Sequence, residues 1–127
     1  MKKYTGKKLV IGNWKMNPST SKEAEKLFKD ITKSISKIKK TNVVICAPFV
    51  YLSNLKKLSK KIVLGSQDAF YGDVGAFTGE VSSEMLYNLG LKYSILGHSE
   101  RRALGEDNLL INKKIRMSLD TRIWKEA

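Results

Sequence analysis

The sequence predicts an α/β fold with a parallel sheet, built from about four strand–helix units in series. Short apolar runs alternate along the chain with stretches whose apolar residues recur at helical spacing. Capping residues, glycine and proline mark the junctions between them. Parallel strands need crossover connections and are buried on both faces, so continuous apolar strands that alternate with amphipathic helices favour this class over a hairpin-built sheet.

The first strand is read at Lys8 to Asn13, a short apolar run closed by Gly12 and Asn13 and expected to be buried. A helix follows from Thr20, where Ala24, Leu27, Phe28, Ile31, Ile35 and Ile38 fall on one face opposite a row of lysines. Thr20 with Glu23 three residues on marks its start as a capping box. The second strand spans Asn42 to Ala47, and Pro48 opens a helix carrying Leu52, Leu55 and Leu58. Ile62 to Gly65 is the third strand, after which a Gly-rich loop runs from Gly72 to Gly79. Ser82 or Ser83 caps the next helix, with Met85, Leu86 and Leu89 inside it and Gly90 at its end. Tyr93 to Gly97 reads as the fourth strand, and Ile111, Ile115 and Leu119 give a fourth helix from Asn108 onward.

A length of 127 residues fits a single domain with a hydrophobic core, and the 42% apolar and 28% charged content is ordinary for a globular chain. The basic, polar opening residues carry no apolar signal core, and no run reaches the ~18 residues of a spanning helix, so a cytoplasmic protein without membrane contact is expected. Cys46, the single cysteine, excludes an intrachain disulfide and a cysteine-based metal site; set among Val44, Ile45 and Ala47, it reads as buried packing. The net charge of +12 raises the question of nucleic acid. The lysines are scattered and have no interleaved aromatic residues to stack bases, so a solvated surface is the better reading.

Parallel sheets place ligands at the carboxyl ends of their strands. The polar residues there are Asn13 and Lys15 after the first strand, Gln67 after the third, and His98, Ser99 and Glu100 after the fourth. By residue type alone, Lys15 is one more surface lysine and the sole histidine a structural residue. Glu100 is equally a first-turn helix carboxylate, and the loop through Phe77 and Glu80 a flexible surface segment. No Gly-rich nucleotide motif is present.

The segments Gly12-Asn13-Trp14-Lys15-Met16-Asn17, Gly75-Ala76-Phe77-Thr78-Gly79-Glu80 and Ile95-Leu96-Gly97-His98-Ser99-Glu100-Arg101-Arg102 resemble three signatures of the triosephosphate isomerase family, in its order and spacing. Cys46-Ala47-Pro48-Phe49 and Gly65-Ser66-Gln67-Asp68 resemble its second and third strand ends. The resemblance runs from about Leu9 to about Leu119, with residues 120–127 divergent. It implies a partial (β/α)8 barrel, the amino-terminal half of a fold of ~250 residues.

By the same resemblance, the chain belongs to an enzyme that interconverts dihydroxyacetone phosphate and glyceraldehyde 3-phosphate in glycolysis and gluconeogenesis, without metal or organic cofactor. Asn13 and Lys15 would bind substrate, with Lys15 offering a cation to the phosphate and to the oxyanion that develops. His98 would polarise the substrate carbonyl, as the family does with a neutral imidazole beside a helix start. Glu100 would support Lys15. The loop at Thr78, Gly79 and Glu80 would sit at the interface of a homodimer, and Arg101 and Arg102 would be structural or interface ion-pair residues. The family's glutamate base, closing lid and phosphate-gripping loops have no counterpart in these 127 residues. The sequence therefore predicts a truncated chain, inactive alone, whose uncovered strand edges and inward side chains promote association. A noncatalytic half-barrel that binds a phosphorylated ligand or a protein partner is the alternative.

Overall fold

The computed structural model describes residues 6–121. Two compact units divide it, one running to Leu64 and the other from Gly65.

In the first unit, β1 (Lys8–Asn13) pairs in parallel with β2 (Thr41–Cys46), in a register from Lys8 opposite Thr41 to Asn13 opposite Cys46. The crossover is α1 (Ser21–Ser34), which starts where Thr20 Oγ1 accepts the Glu23 amide at 3.2 Å. That bond satisfies one of the amides a helix start leaves unpaired. Lys61 Nζ donates to the carbonyls of Ile35 and Ser36, at 2.8 and 3.2 Å, and to that of Ile38, tying down the far end of this helix. Pro48 precedes α2 (Phe49–Leu58), where its fixed φ and missing N–H suit a helix entrance. Ala24, Phe28, Val44, Ile45, Cys46, Leu52 and Leu55 are buried and form this unit's core.

The buried strand expected at Lys8 to Asn13 is corrected. Leu9, Val10 and Ile11 are 46%, 54% and 48% exposed. The ladder to β2 satisfies the backbone of β1 along one edge, but the apolar side chains on both of its faces stay half open. The apolar face of α1 is also narrower than its periodicity suggests, since only Ala24 and Phe28 are buried while Leu27 and Ile38 stay exposed.

In the second unit, Gly65 and Ser66 of β3 (Val63–Ser66) pair in parallel with Tyr93 and Ser94 of β4 (Tyr93–Ser94). The buried hydroxyls of Ser66 and Ser94 bond across this pair at 2.7 Å. Helix α3 (Ser83–Asn88) lies between them in sequence, and Ser82 is its cap, with Oγ accepting the Met85 amide at 3.1 Å. The fourth strand is shorter than the apolar run implied. Ile95 N still bonds to Ser66 O at 2.9 Å, but β3 ends there and the chain leaves the ladder for Gly97, whose φ of +69° turns it toward His98.

The helical turn read from Ser99 is a short helix of its own, separate from the helix expected from Asn108. A short α4 (Ser99–Ala103) stops at Leu104, Gly105 takes φ +108°, and Asp107 caps α5 (Asn108–Asp120) through the Leu110 amide at 2.8 Å. The face of α5 differs from the one read along Ile111, Ile115 and Leu119. Its buried residues are Ile111, Lys114 and Ser118, and Ile115 and Leu119 are 41% and 51% exposed. The divergent tail lies outside the described residues beyond Thr121, and Asp120 still belongs to α5. No helix among the described residues is long and apolar enough to cross a membrane.

Candidate functional site

The residues singled out from the sequence fall into three local constellations. The first stands at the end of β1. Asn13 is the strand's last residue, and its Oδ1 accepts the Lys15 backbone amide at 2.9 Å. Lys15 has φ +57°, the left-handed conformation that costs a side-chain-bearing residue roughly 1–2 kcal/mol. Its ammonium chain is exposed. Strain of this kind marks places where surrounding contacts hold a side chain in one direction for use. Asn13 Oδ1 thus braces the backbone of this left-handed turn.

The second constellation is at the end of β4. His98 is the N-cap of α4, and its Nδ1 accepts the Glu100 amide at 3.1 Å. A nitrogen that accepts carries a lone pair, so the neutral ring bears its proton on Nε2 and presents that N–H as a donor. Glu100 Oε2 lies 3.7 Å from Nδ1 on the same side of the ring. With Nδ1 engaged by the Glu100 amide, the ring is held at the start of α4 and its Nε2 is left to meet a ligand oxygen.

The third is the loop from Gly72. Phe77 packs on Phe70 with ring centroids 4.8 Å apart, and the Glu80 amide bonds to Phe77 O at 3.1 Å. A side chain on Gly72 would meet both rings at 2.9 Å, so glycine is required for this packing. The tip at Thr78, Gly79 and Glu80 is exposed, with Gly79 at φ +88°. Its base is anchored by aromatic contact, and the loop presents its tip outward.

A fourth group escaped the sequence reading. Lys114 Nζ lies 3.0 Å from Asp68 Oδ1 and 3.0 Å from Glu106 Oε2, and Arg101 reaches the same two carboxylates, with Nη2 3.1 Å from Asp68 and Nε 2.8 Å from Glu106. Burial pushes the Glu106 carboxyl upward, yet hydrogen bonds from Lys114 and Arg101 and their charges outweigh it and hold it below the usual range. Arg101 is thus a structural ion-pair residue, itself 42% exposed but bound to two buried carboxylates. Its partners are 9% and 4% exposed, and its fork links them. The only signal available was Lys114 at helical spacing from Ile111 and Ser118, a lysine in line with the face that becomes buried.

Cys46 is buried, and burial pushes its thiol up to about 12, consistent with packing and not with a nucleophile. Among the described residues no group of three or more His, Cys, Asp or Glu is placed to hold a metal ion.

The triosephosphate isomerase family model matches residues 8–124. The chain belongs to the triosephosphate isomerase family. It is 40% identical over 120 residues to the triosephosphate isomerase of Alkaliphilus metalliredigens, covering 92% of this chain and 48% of that relative. With the enzyme of Thermoanaerobacter pseudethanolicus it shares 42% over 114 residues, 87% of this chain and 45% of the relative. The crystal structure of triosephosphate isomerase from Bartonella henselae superposes with a TM-score of 0.79 at 30% identity, over 91% of this chain and 48% of that one. The expected fold class, a partial (β/α)8 barrel with parallel strands, is thereby established. The chain spans about half the length of the triosephosphate isomerases it matches.

Proposed function

We propose that this chain supplies the substrate-binding and electrophilic residues of a triose-phosphate isomerase acting in the cytoplasm on dihydroxyacetone phosphate and glyceraldehyde 3-phosphate, in glycolysis and gluconeogenesis. The observation that carries this is the hydrogen bond that His98 Nδ1 accepts from the Glu100 amide at the start of α4. With Nδ1 occupied by the Glu100 amide, Nε2 is the ring nitrogen left to donate to a substrate oxygen. A preoriented donor stabilises charge that grows on that oxygen without reorganising at the moment of reaction.

In this reading Asn13 holds Lys15, and Lys15 binds the anionic substrate. Glu100 supports the electrophile, and the loop tip at Thr78, Gly79 and Glu80 meets a second subunit in a homodimer. Neither metal nor organic cofactor is needed for proton transfer through an enediolate. Removing a positioned general base typically costs ~10²–10⁴-fold in rate. The family's glutamate base has no match among the signature segments of this chain, and in this reading the chain alone has negligible isomerase activity.

A second reading has its own support. The half-exposed Leu9, Val10 and Ile11 of β1 suit a noncatalytic half-barrel that binds a phosphorylated ligand or a protein partner. A coupled assay on dihydroxyacetone phosphate separates the two, run with the chain alone and with the carboxyl-terminal half of the Alkaliphilus metalliredigens enzyme added in trans. Activity only in the mixture supports the isomerase. Phosphate-ligand binding without complementation supports the second reading. Turnover by the chain alone within about a hundredfold of an intact relative contradicts the expected inactivity.

A further inference from the structure

We propose that Lys114 and Glu106 are positioning residues for His98, acting through Arg101 to hold the turn on which the imidazole is mounted. The ring takes its orientation from the backbone of α4, because the amide that Nδ1 accepts belongs to Glu100. Whatever places α4 therefore places the ring.

Burial of its own side chains does not place it, although Gly97 just before it lies against the Ile111 side chain. Helix α4 is five residues long and buries none of them. A helix that short is unstable by itself, since nucleation costs more than one turn of hydrogen bonds returns. Its own side chains hold it by polar contacts. Arg102 Nε donates to Gly97 O at 3.1 Å, and its Nη1 donates to Asn108 Oδ1 at 2.8 Å, which ties α4 to its own flanks. Arg101 alone reaches deeper, to Asp68 just past β3 and to Glu106 just before α5.

Those two carboxylates are buried and would repel each other without a cation between them. Lys114, itself 4% exposed, supplies that cation from the middle of α5. Asp68 thus accepts from Lys114 on Oδ1 and from Arg101 on Oδ2, and Glu106 Oε2 accepts from both. The guanidinium fork has one geometry that meets two fixed carboxylates together. Fixing them fixes Arg101, and Arg101 is bonded through its own amide to His98 O at 2.9 Å. Glu106 Oε1 has no hydrogen-bond partner among the described residues, so all of this carboxylate's binding is directed into the clamp.

The proposal rests on the isomerase reading only for what the ring is used for. The positioning itself is testable without substrate, because His98 is the only histidine in the chain and its ring signals need no assignment. The experiment is nitrogen NMR of isotope-labelled histidine. It compares the unmodified chain, the paired variant Lys114→Met with Glu106→Gln, the charge-preserving Arg101→Lys, and Arg116→Met as an exposed control on the same helix. The unmodified chain and the control should show one fixed tautomer, with Nδ1 as acceptor. The paired variant and Arg101→Lys should keep dispersed spectra while the two ring nitrogens shift toward a tautomer average. Ring signals unchanged in a folded paired variant overturn the proposal. Global unfolding of both variants overturns it too, since the network would then belong to the core and not be a clamp on one turn. If the ring responds as expected but complemented protein shows no isomerase activity, the isomerase reading fails and the positioning stands.

Discussion

The Lys114 ammonium lies 3.0 Å from Glu106 Oε2, with both side chains 4% exposed. A buried pair is weak evidence of net stabilisation, because desolvating two charges offsets most of their attraction. Breaking it on one side is another matter. Lys114→Met alone leaves Asp68 and Glu106 buried with only Arg101 to compensate them, and such losses cost about 3–5 kcal/mol. Adding Glu106→Gln removes one of the stranded charges, so the double variant should be more stable than the single one. Urea unfolding of the unmodified chain, the two single variants and the double variant measures this. A double variant that loses the sum of two independent single losses would show that the groups do not act as a unit.

The acid side of the stability curve follows from the same carboxylate. The folded value for Glu106 is lower than the ordinary 4.5, because the bonds and charges of Lys114 and Arg101 outweigh its burial. The ionised form is favoured in the folded state, so its stabilisation is fully present above 4.5. It is lost as pH falls from there through the folded value. Glu106→Gln should therefore flatten the fall in stability between about pH 5 and pH 2 relative to the unmodified chain. Equal slopes for the two proteins over that range would exclude Glu106 as a source of acid sensitivity.

Cys46 gives a prediction at the other end of the scale. Its thiol sits at 0% exposure and is pushed up to about 12 by burial, so the reactive thiolate is scarce at neutral pH. A disulfide reagent should modify the native chain only as fast as the core opens, and in urea at the rate of a free thiol. Because the folded state favours the neutral thiol, this group supports folding below its ordinary value of 9.0, and the support fades as pH rises toward 12. Rapid native-state modification at neutral pH would place Cys46 at the surface.

Much of the fold was legible because the strands and helix starts carry local signals. Lys8–Asn13 matched its strand residue for residue, and Thr20 and Ser82 cap the helices assigned to them. The failures share a cause. Burial depends on what lies against an element, and a run such as Leu9, Val10 and Ile11 looks the same whether its faces are covered or open. The face of α5 was misread because Ile115 and Leu119 are the more apolar choice at helical spacing, while Lys114 is buried only because carboxylates from distant positions neutralise it. At the candidate site, the strand-end positions of Asn13 and Lys15 and the helix-start positions of His98 and Glu100 were readable. Their local geometry was not, since neither the left-handed turn at Lys15 nor the acceptor role of Nδ1 follows from composition.

That turn at Lys15 separates strain from side-chain chemistry. With φ +57°, the position suits glycine, which adopts the left-handed region freely, whereas an alanine there keeps the strain and lacks the ammonium group. Lys15→Gly and Lys15→Ala both remove the cation, so each should lose binding of an anionic phosphate ligand to the same extent. Their stabilities should differ. The glycine variant is expected to exceed the alanine variant by roughly 1 kcal/mol, somewhat reduced by the greater freedom glycine restores to the unfolded chain. Thermal unfolding of the two variants, compared under identical conditions, reads the difference directly. An alanine variant as stable as the glycine one would mean that the backbone at Lys15 relaxes once the side chain is gone. The strain would then be imposed through the lysine side chain itself, and not by the bond from Asn13 Oδ1 to the Lys15 amide that both variants retain.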